Sequence, residues 1–548
     1  MRKHTVPYVT EPEPMPQRRR TGVITIFRIS HREIRVNHTN FREVEMAVPG
    51  KDSLSPTQQI WLVIASGALL AGVNSYDNIP SLGNTDSSLS LYAASGLLRG
   101  AIPYKDIWYD RMPGSILTDA AALGAWNSFI AVMLLEICWI TLAAFLLKKA
   151  CSFAGANNKT ASVTAGWFWM LTMSVSCLGG PNSAQVWALP FIIAFAMLVF
   201  RPGSGDSPGG VFIAGVCAGA AACFIAREAV LLFVGLFALR KNTAFFVIGF
   251  LSITATLFAA LAAFGSLSAF GDATLLSNWS AIIGGGWLPY FTGDFRTFLK
   301  LAGLLAPLLI LVIPAVSPGQ EKPVALAVPA ALKIWLGLEI LALAVNGPIG
   351  PSTIISAAIP VFLIWALSAS LYMTPKHHNP LSRSAVILFF IVFLSIASDI
   401  NSLIGTSAGN ETVRTTRQSQ FIAQIVDRHC GPSEKIQVWG GSALTYVLSS
   451  RAAVSRFPTA KALMIRGYSD KNAGDFINEI DRNPPAILVL EASLLPEGTL
   501  EKLPRMPYFD TGPEQDRLFA FLQDMVRLKY RIIATHLGVI ICRRSQDG

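Results

Sequence analysis

Asp86, Tyr92, Arg99, Tyr104, Lys105, Asp106, Tyr109, Asp110 and Arg111 crowd into one stretch of an otherwise apolar chain. Carboxylates, cations and phenols gathered in this way suit a group transfer. A carboxylate can take the proton of a hydroxyl, which is a weak nucleophile until it loses it. A lysine or arginine can neutralise charge that gathers on a departing phosphate. Tyrosine rings can stack on sugar faces, and they are equally ordinary anchors at a membrane interface. Asp106 and Asp110 are four residues apart and share a face only in a helix, for which Pro103 and Pro113 leave little room. Their spacing therefore does not imply a metal pair.

An element must carry these groups. After Asp86, the residues Leu89, Tyr92, Ala93, Gly96 and Leu97 recur every three or four positions, which predicts an amphipathic helix on the membrane face. Asp86 stands at its start, where Thr85 or Asp86 could also serve simply as a cap for the first backbone N–H groups.

The frame around that helix is read from composition. Of 548 residues, 52% are hydrophobic and 14% charged, against about 25% charged in an average soluble domain. The mean hydropathy is +0.47. These values exclude collagen, a disordered chain and a small disulfide scaffold. Runs of the roughly 20 apolar residues that a membrane helix needs occur at 58–77, 113–147, 162–178, 184–200, 209–238, 243–264, 298–316, 324–345, 353–372 and 382–400. Segment 113–147 reads as one long helix or two short ones, and 209–238 as a pair broken near Arg227. The expected fold class is a polytopic α-helical membrane protein with about 11–12 transmembrane helices.

Charge orients it. Lys plus Arg is 44 and Asp plus Glu is 34, a net charge of +10, which suits cytoplasmic loops and an anionic lipid surface rather than nucleic acid. Arg18 to Arg20 place the tail 1–57 in the cytoplasm. Lys148 with Lys149, Arg201, Arg240 with Lys241, Lys322, and Lys376 beside His377 and His378 mark cytoplasmic turns. Loop 78–112, loop 265–297 and everything after residue 400 are then outside, and the transmembrane domain is 58–400. Residues 401–548 regain charge and alternate helix with strand: helices at 413–428, 473–481 and 513–528, strands at 435–439, 486–491, 530–535 and 538–542. This predicts a small C-terminal α/β domain. Its Cys430 and Cys542 are a possible bridge or two buried thiols.

Several charged residues fall inside apolar runs. Glu136 is expected near a helix end or in a bundle-facing hydrogen bond, and Asp119 in an interior hydrogen bond or facing the loop's cavity. Arg227 either pairs with Glu228 or points its guanidinium at a phosphate. Glu339 and Lys333 are six apart and do not share a face. Loop 265–297, with Asp272, Trp279, Trp287, Tyr290 and Arg296 around three glycines, reads as a second cavity wall or a plain connection. Gly440 and Gly441 after a predicted strand end it, or serve binding there.

The run DSSLSLYAASGLLRGAIPYKDIWYDRMPG, from Asp86 to Gly114, resembles the first periplasmic loop of bacterial GT-C membrane glycosyltransferases of the dolichyl-phosphate-mannose-protein mannosyltransferase-like group (glycosyltransferase 39). Those proteins show an acidic pair, a Tyr several residues on, a Leu-Leu-x-Gly-x-x-Pro-Tyr-x-Asp stretch, and a charged residue before Pro-Pro or Pro-Gly. Asp86 matches the catalytic acid of the pair, and Ser87 stands where many members have Glu. The Gly-rich span from Ala214 to Arg227 is similar to one that ends in a basic residue, and Val438-Trp439-Gly440 with Tyr446, Ser450-Arg451 and Arg456-Phe457 is similar to the group's tail domain.

The resemblance implies a GT-C type fold with a periplasmic C-terminal domain. It implies a polyprenyl-phosphate-sugar donor and transfer to a glycan, lipid or protein acceptor at the outer face of a bacterial inner membrane, with inversion. Asp86 would be the base. Tyr92, Tyr104, Lys105, Asp106, Asp110, Arg111 and Arg227 would bind the donor, and membrane lipids would surround it. The cofactor stays unknown, because without the acidic pair a divalent metal has no clear ligand set. Two other readings stand beside this one. A flippase for a lipid-linked substrate would show paired repeats with broken midplane helices. A GT-C-like structural protein without the chemistry is what the Ser87 departure suggests.

Overall fold

The computed structural model describes residues 85–126, 128–156, 158–179, 182–201, 203–239, 241–277, 331–339, 359–364, 366–367, 409–440, 442–463, 469–491, 513–536 and 538–545. The chain divides into two units, Met1–Ser55 and Pro56–Gly548, and the described residues all belong to the second. The spans expected at 58–77, 298–316 and 382–400, the loop beyond Ser277, and His377 with His378 lie outside the described residues, as does most of 324–345 and 353–372.

The polar stretch is flanked by two helices, α1 (Thr85–Leu98) and α2 (Gly114–Ala125). The expected helix after Asp86 is present, but it is not amphipathic: residues 87–94 are buried all round. It is covered by α2 and by a short helix, Leu444–Leu448, of the tail, which no periodicity within 85–98 can reveal. Segment 113–147 is two helices. Trp126 is extended after α2, and Ser128 caps α3 (Phe129–Phe153) by accepting the Ile130 N–H at 3.2 Å. The 12 residues of α2 reach only about 18 Å, short of a bilayer core of about 30 Å.

Next come α4 (Asn158–Gly179), α5 (Ala184–Val199) and α6 (Pro208–Phe224). Segment 209–238 breaks where expected: Ile225 is extended, Ala226–Ala229 forms a 3-10 turn, and α7 (Val230–Ala238) follows. Helix α8 (Thr243–Ala263) packs on α6 at backbone distance. A Cβ at Gly215 would strike the carbonyl of Phe246, and one at Gly219 would lie 2.7 Å from the Phe250 carbonyl oxygen. Small residues four apart allow this approach where lipid removes the hydrophobic drive. Helix α9 (Leu267–Phe270) runs on into a π turn, Gly271–Leu276.

Among the described residues, α3 and α8 are long and apolar enough to cross a membrane. Only 33% of the most apolar part of α3 and 17% of that of α8 are buried in the protein. Leu134, Leu142 and Phe145 on α3, and Ile248, Leu251 and Phe258 on α8, are exposed. A soluble core helix would be covered; these faces suit hydrocarbon, and the protein is a membrane protein.

The tail builds α10 (Gly409–His429), β1 (Ile436–Trp439), α11 (Leu444–Leu448), α12 (Ser469–Arg482), β2 (Ile487–Glu491), α13 (Pro513–Lys529), β3 (Tyr530–His536) and β4 (Val539–Arg544). The sheet order is β1-β2-β4-β3. Strands β1 and β2 are parallel, pairing Ile436 with Ile487, and α12 makes their crossover. Strands β3 and β4 form an antiparallel hairpin with an irregularity between Ile532 and Ala534. β1 is buried along its whole length and β2 as far as Leu490, which explains their unbroken apolar runs. Cys430 and Cys542 are both buried free thiols.

Candidate functional site

The stretch between α1 and α2 is a tight turn rather than a helix. Tyr104 has a φ of 70°, a left-handed conformation costly for a residue with a Cβ. It is held there from both ends. Its N–H donates to the Ile107 carbonyl at 2.8 Å, and its phenol donates to the Arg111 carbonyl at 2.9 Å. The ring stands edge-on to Tyr109 and Phe270. The Asp106 carboxylate accepts the Ile102 N–H at 2.8 Å and so closes the turn. Lys105 is exposed and the Arg111 side chain is 39% exposed.

The tail domain grips this segment. Asp110, almost wholly buried, receives Lys461 Nζ at 2.8 Å, with Arg111 Nε at 3.9 Å. The Trp108 N–H donates to the Arg456 carbonyl at 2.7 Å. The Tyr92 hydroxyl accepts the Ala453 N–H at 2.9 Å, and its ring lies 4.9 Å from that of Tyr446. Ser88 Oγ accepts the Ala443 N–H at 3.1 Å. Lys471 reaches Asp272 on the π turn at 2.9 Å. Burial raises the Tyr92 phenol, which the Ala453 N–H offsets only in part, and burial raises Tyr104 well above its ordinary value. Both are neutral phenols.

Asp86 is the second residue of α1, and its side chain lies outside the described residues. Ser87 is buried. Tyr104, Lys105, Asp106, Asp110 and Arg111 share one turn, while Tyr92 faces the tail domain. Arg227 is engaged elsewhere. Its Nη2 lies 3.3 Å from Glu228 and its Nε 3.7 Å from Glu339, with the guanidinium side chain 4% exposed. Glu339 also accepts the Trp335 indole N–H at 3.1 Å, and Lys333 is exposed. Two buried carboxylates thus lie around one guanidinium, so the pairing with Glu228 is present and Glu339 joins it. Among the described residues, no group of three or more His, Cys, Asp and Glu could hold a metal ion.

Sequence reading did not anticipate one polar network. Ser90 Oγ donates to Asp119 Oδ2 at 2.6 Å, and Asn182 Nδ2 donates to the same oxygen at 2.8 Å. Trp187 Nε1 donates to Asn182 Oδ1 at 2.7 Å, and the Asn182 N–H donates to Glu136 Oε2 at 2.9 Å. Asp119 and Glu136 were marked by being charged within apolar runs. Ser90, Asn182 and Trp187 carried no such mark.

No protein-family model matches the chain. No curated protein matches it. Among solved structures, the chain is similar to ArnT from Cupriavidus metallidurans bound to undecaprenyl phosphate, at 12% identity and a TM-score of 0.56, covering 89% of this chain and 98% of that one. ArnT of the same organism in the apo state matches at 12% identity and a TM-score of 0.48, covering 88% of this chain and 99% of that one. The first likeness shows a fold shared in outline with that structure: helices with candidate membrane spans and a small C-terminal sheet domain.

Proposed function

We propose that this chain transfers a sugar from a polyprenyl-phosphate-linked donor to a glycan, lipid or protein acceptor at the periplasmic face of the inner membrane. Asp86 takes the proton of the acceptor hydroxyl as its oxygen attacks the anomeric carbon. The bond from that carbon to the phosphate oxygen breaks, and polyprenyl phosphate leaves with its electron pair. A single displacement inverts the anomeric centre. Such a leaving group is already anionic and needs no carboxylic acid, so one carboxylate suffices. Lys105 and Arg111 are the cations of the turn that reach solvent, and they neutralise the phosphate. Tyr104, Asp106 and Asp110 shape the turn that presents them, and Tyr92 joins α1 to the tail domain. Arg227 serves as the counter-charge of Glu228 and Glu339.

The observation that carries the reading is the fold likeness, over most of both chains, to a protein whose structure holds undecaprenyl phosphate. The motif run from Asp86 to Gly114 supplies the matching residues. Purified protein in lipid nanodiscs, offered undecaprenyl-phosphate-linked hexoses and pentoses, is expected to transfer sugar. Asp86→Asn is expected to lower kcat by about 10²–10⁴-fold at unchanged thermal stability. Wild-type turnover in that variant removes Asp86 as the base. Absence of transfer from every donor favours the flippase or the inactive protein.

A further inference from the structure

Ser90 follows Asp86 by one helical turn of α1. It is the residue through which α1 enters the buried network. Its hydroxyl donates to Asp119 on α2. Asp119 is in turn fixed by Asn182, at the start of α5, whose amide orientation has a cause. The Trp187 indole N–H can only donate, so it takes the amide oxygen and turns the amide N–H toward Asp119. Glu136 on α3 holds the Asn182 backbone N–H, at a residue whose φ is 66°. Ser90, Asp119, Asn182 and Trp187 are each at most 3% exposed.

Directional hydrogen bonds between buried groups orient a helix more sharply than apolar contact does. On α1 these include Ser88 and Tyr92 to the tail domain and Ser90 to Asp119, and the last ties α1 to α2. We propose that Asp119 is a positioning residue: through Ser90 it sets the rotation and height of α1, and with them the place of Asp86 one turn upstream. Its consequence for catalysis rests on Asp86 as the base; the anchoring of α1 does not.

The two hydrogen bonds that Asp119 accepts go to one oxygen. An asparagine with its amide oxygen in that place keeps both, replacing the charge with an amide N–H2 at the buried Oδ1 position, whereas alanine loses both. Hydrogen exchange on the full chain in lipid nanodiscs separates these cases. Asp119→Ala and Ser90→Ala are expected to speed amide exchange across residues 87–98 about tenfold, with β1 and β2 unchanged. Asp119→Asn is expected to match wild type. With an undecaprenyl-phosphate-linked hexose as donor, kcat should fall in the two alanine variants at unchanged KM and recover in Asp119→Asn. Wild-type exchange in both alanine variants overturns the proposal, and so does an Asn variant as loose as Ala, which would assign the effect to charge. If Asp119→Ala fails to fold, Ser90→Ala decides. Should the exchange pattern appear while Asp86→Asn transfers sugar like wild type, the anchoring stands and the base assignment falls.

Discussion

Asp119 is wholly removed from water, and the Ser90 and Asn182 hydrogen bonds both end on one of its carboxylate oxygens. At this scale the sequence marked residue types but not their use. The hydroxyls of the tyrosines, which the sequence could not place, are engaged: Tyr92 accepts from Ala453 and Tyr104 donates to Arg111.

The turn from Ala101 to Met112 is closed by its own hydrogen bonds, from Tyr104 to Ile107 and Arg111 and from Ile102 to Asp106, and the tail domain grips it from outside. The Asp110–Lys461 pair is the charged part of that grip. Asp110 is buried while the Lys461 side chain is 35% exposed, so solvent screens the pair and discounts it from a fully buried one. A double-mutant cycle of Asp110→Asn and Lys461→Met, followed by thermal unfolding of the full chain, should give a coupling of about 1–2 kcal/mol. A coupling near zero would make it an ordinary surface pair. The same contact explains why α1 is not amphipathic. Ser88 lies under the tail domain and Ser90 against α2 rather than in water. The split of 113–147 was left open for a related reason: Trp126 and Ser128 interrupt the helix without interrupting the hydropathy.

The whole molecule puts lipid-facing helices beside a charged domain. The apolar exposed faces of α3 and α8 need hydrocarbon, and the basic excess needs an anionic leaflet. The proposed orientation has a direct test in single cysteines. Lys105, exposed on the first loop, and Lys241, 76% exposed before α8, fall on opposite sides in that topology. Lys105→Cys should react with a membrane-impermeant maleimide in intact spheroplasts, and Lys241→Cys only after lysis, with the unsubstituted chain as background. The reverse pattern would put the motif loop in the cytoplasm and end the proposed reaction.

By itself the sequence determined the class of solvent, the break near Arg227, the order of helix and strand in the tail apart from α11, and the one stretch where chemistry-bearing residues gather. These are local properties: hydropathy and periodicity depend on neighbours a few positions away. Tertiary structure alone decided which partners those residues meet. Asp110 finds Lys461, Tyr92 finds Ala453, Ser90 finds Asp119 and Arg227 finds Glu339. A hydrogen bond or ion pair acts only across a few ångströms. Partners 29 to 361 positions apart for the hydrogen-bonded ones meet only once the chain has folded.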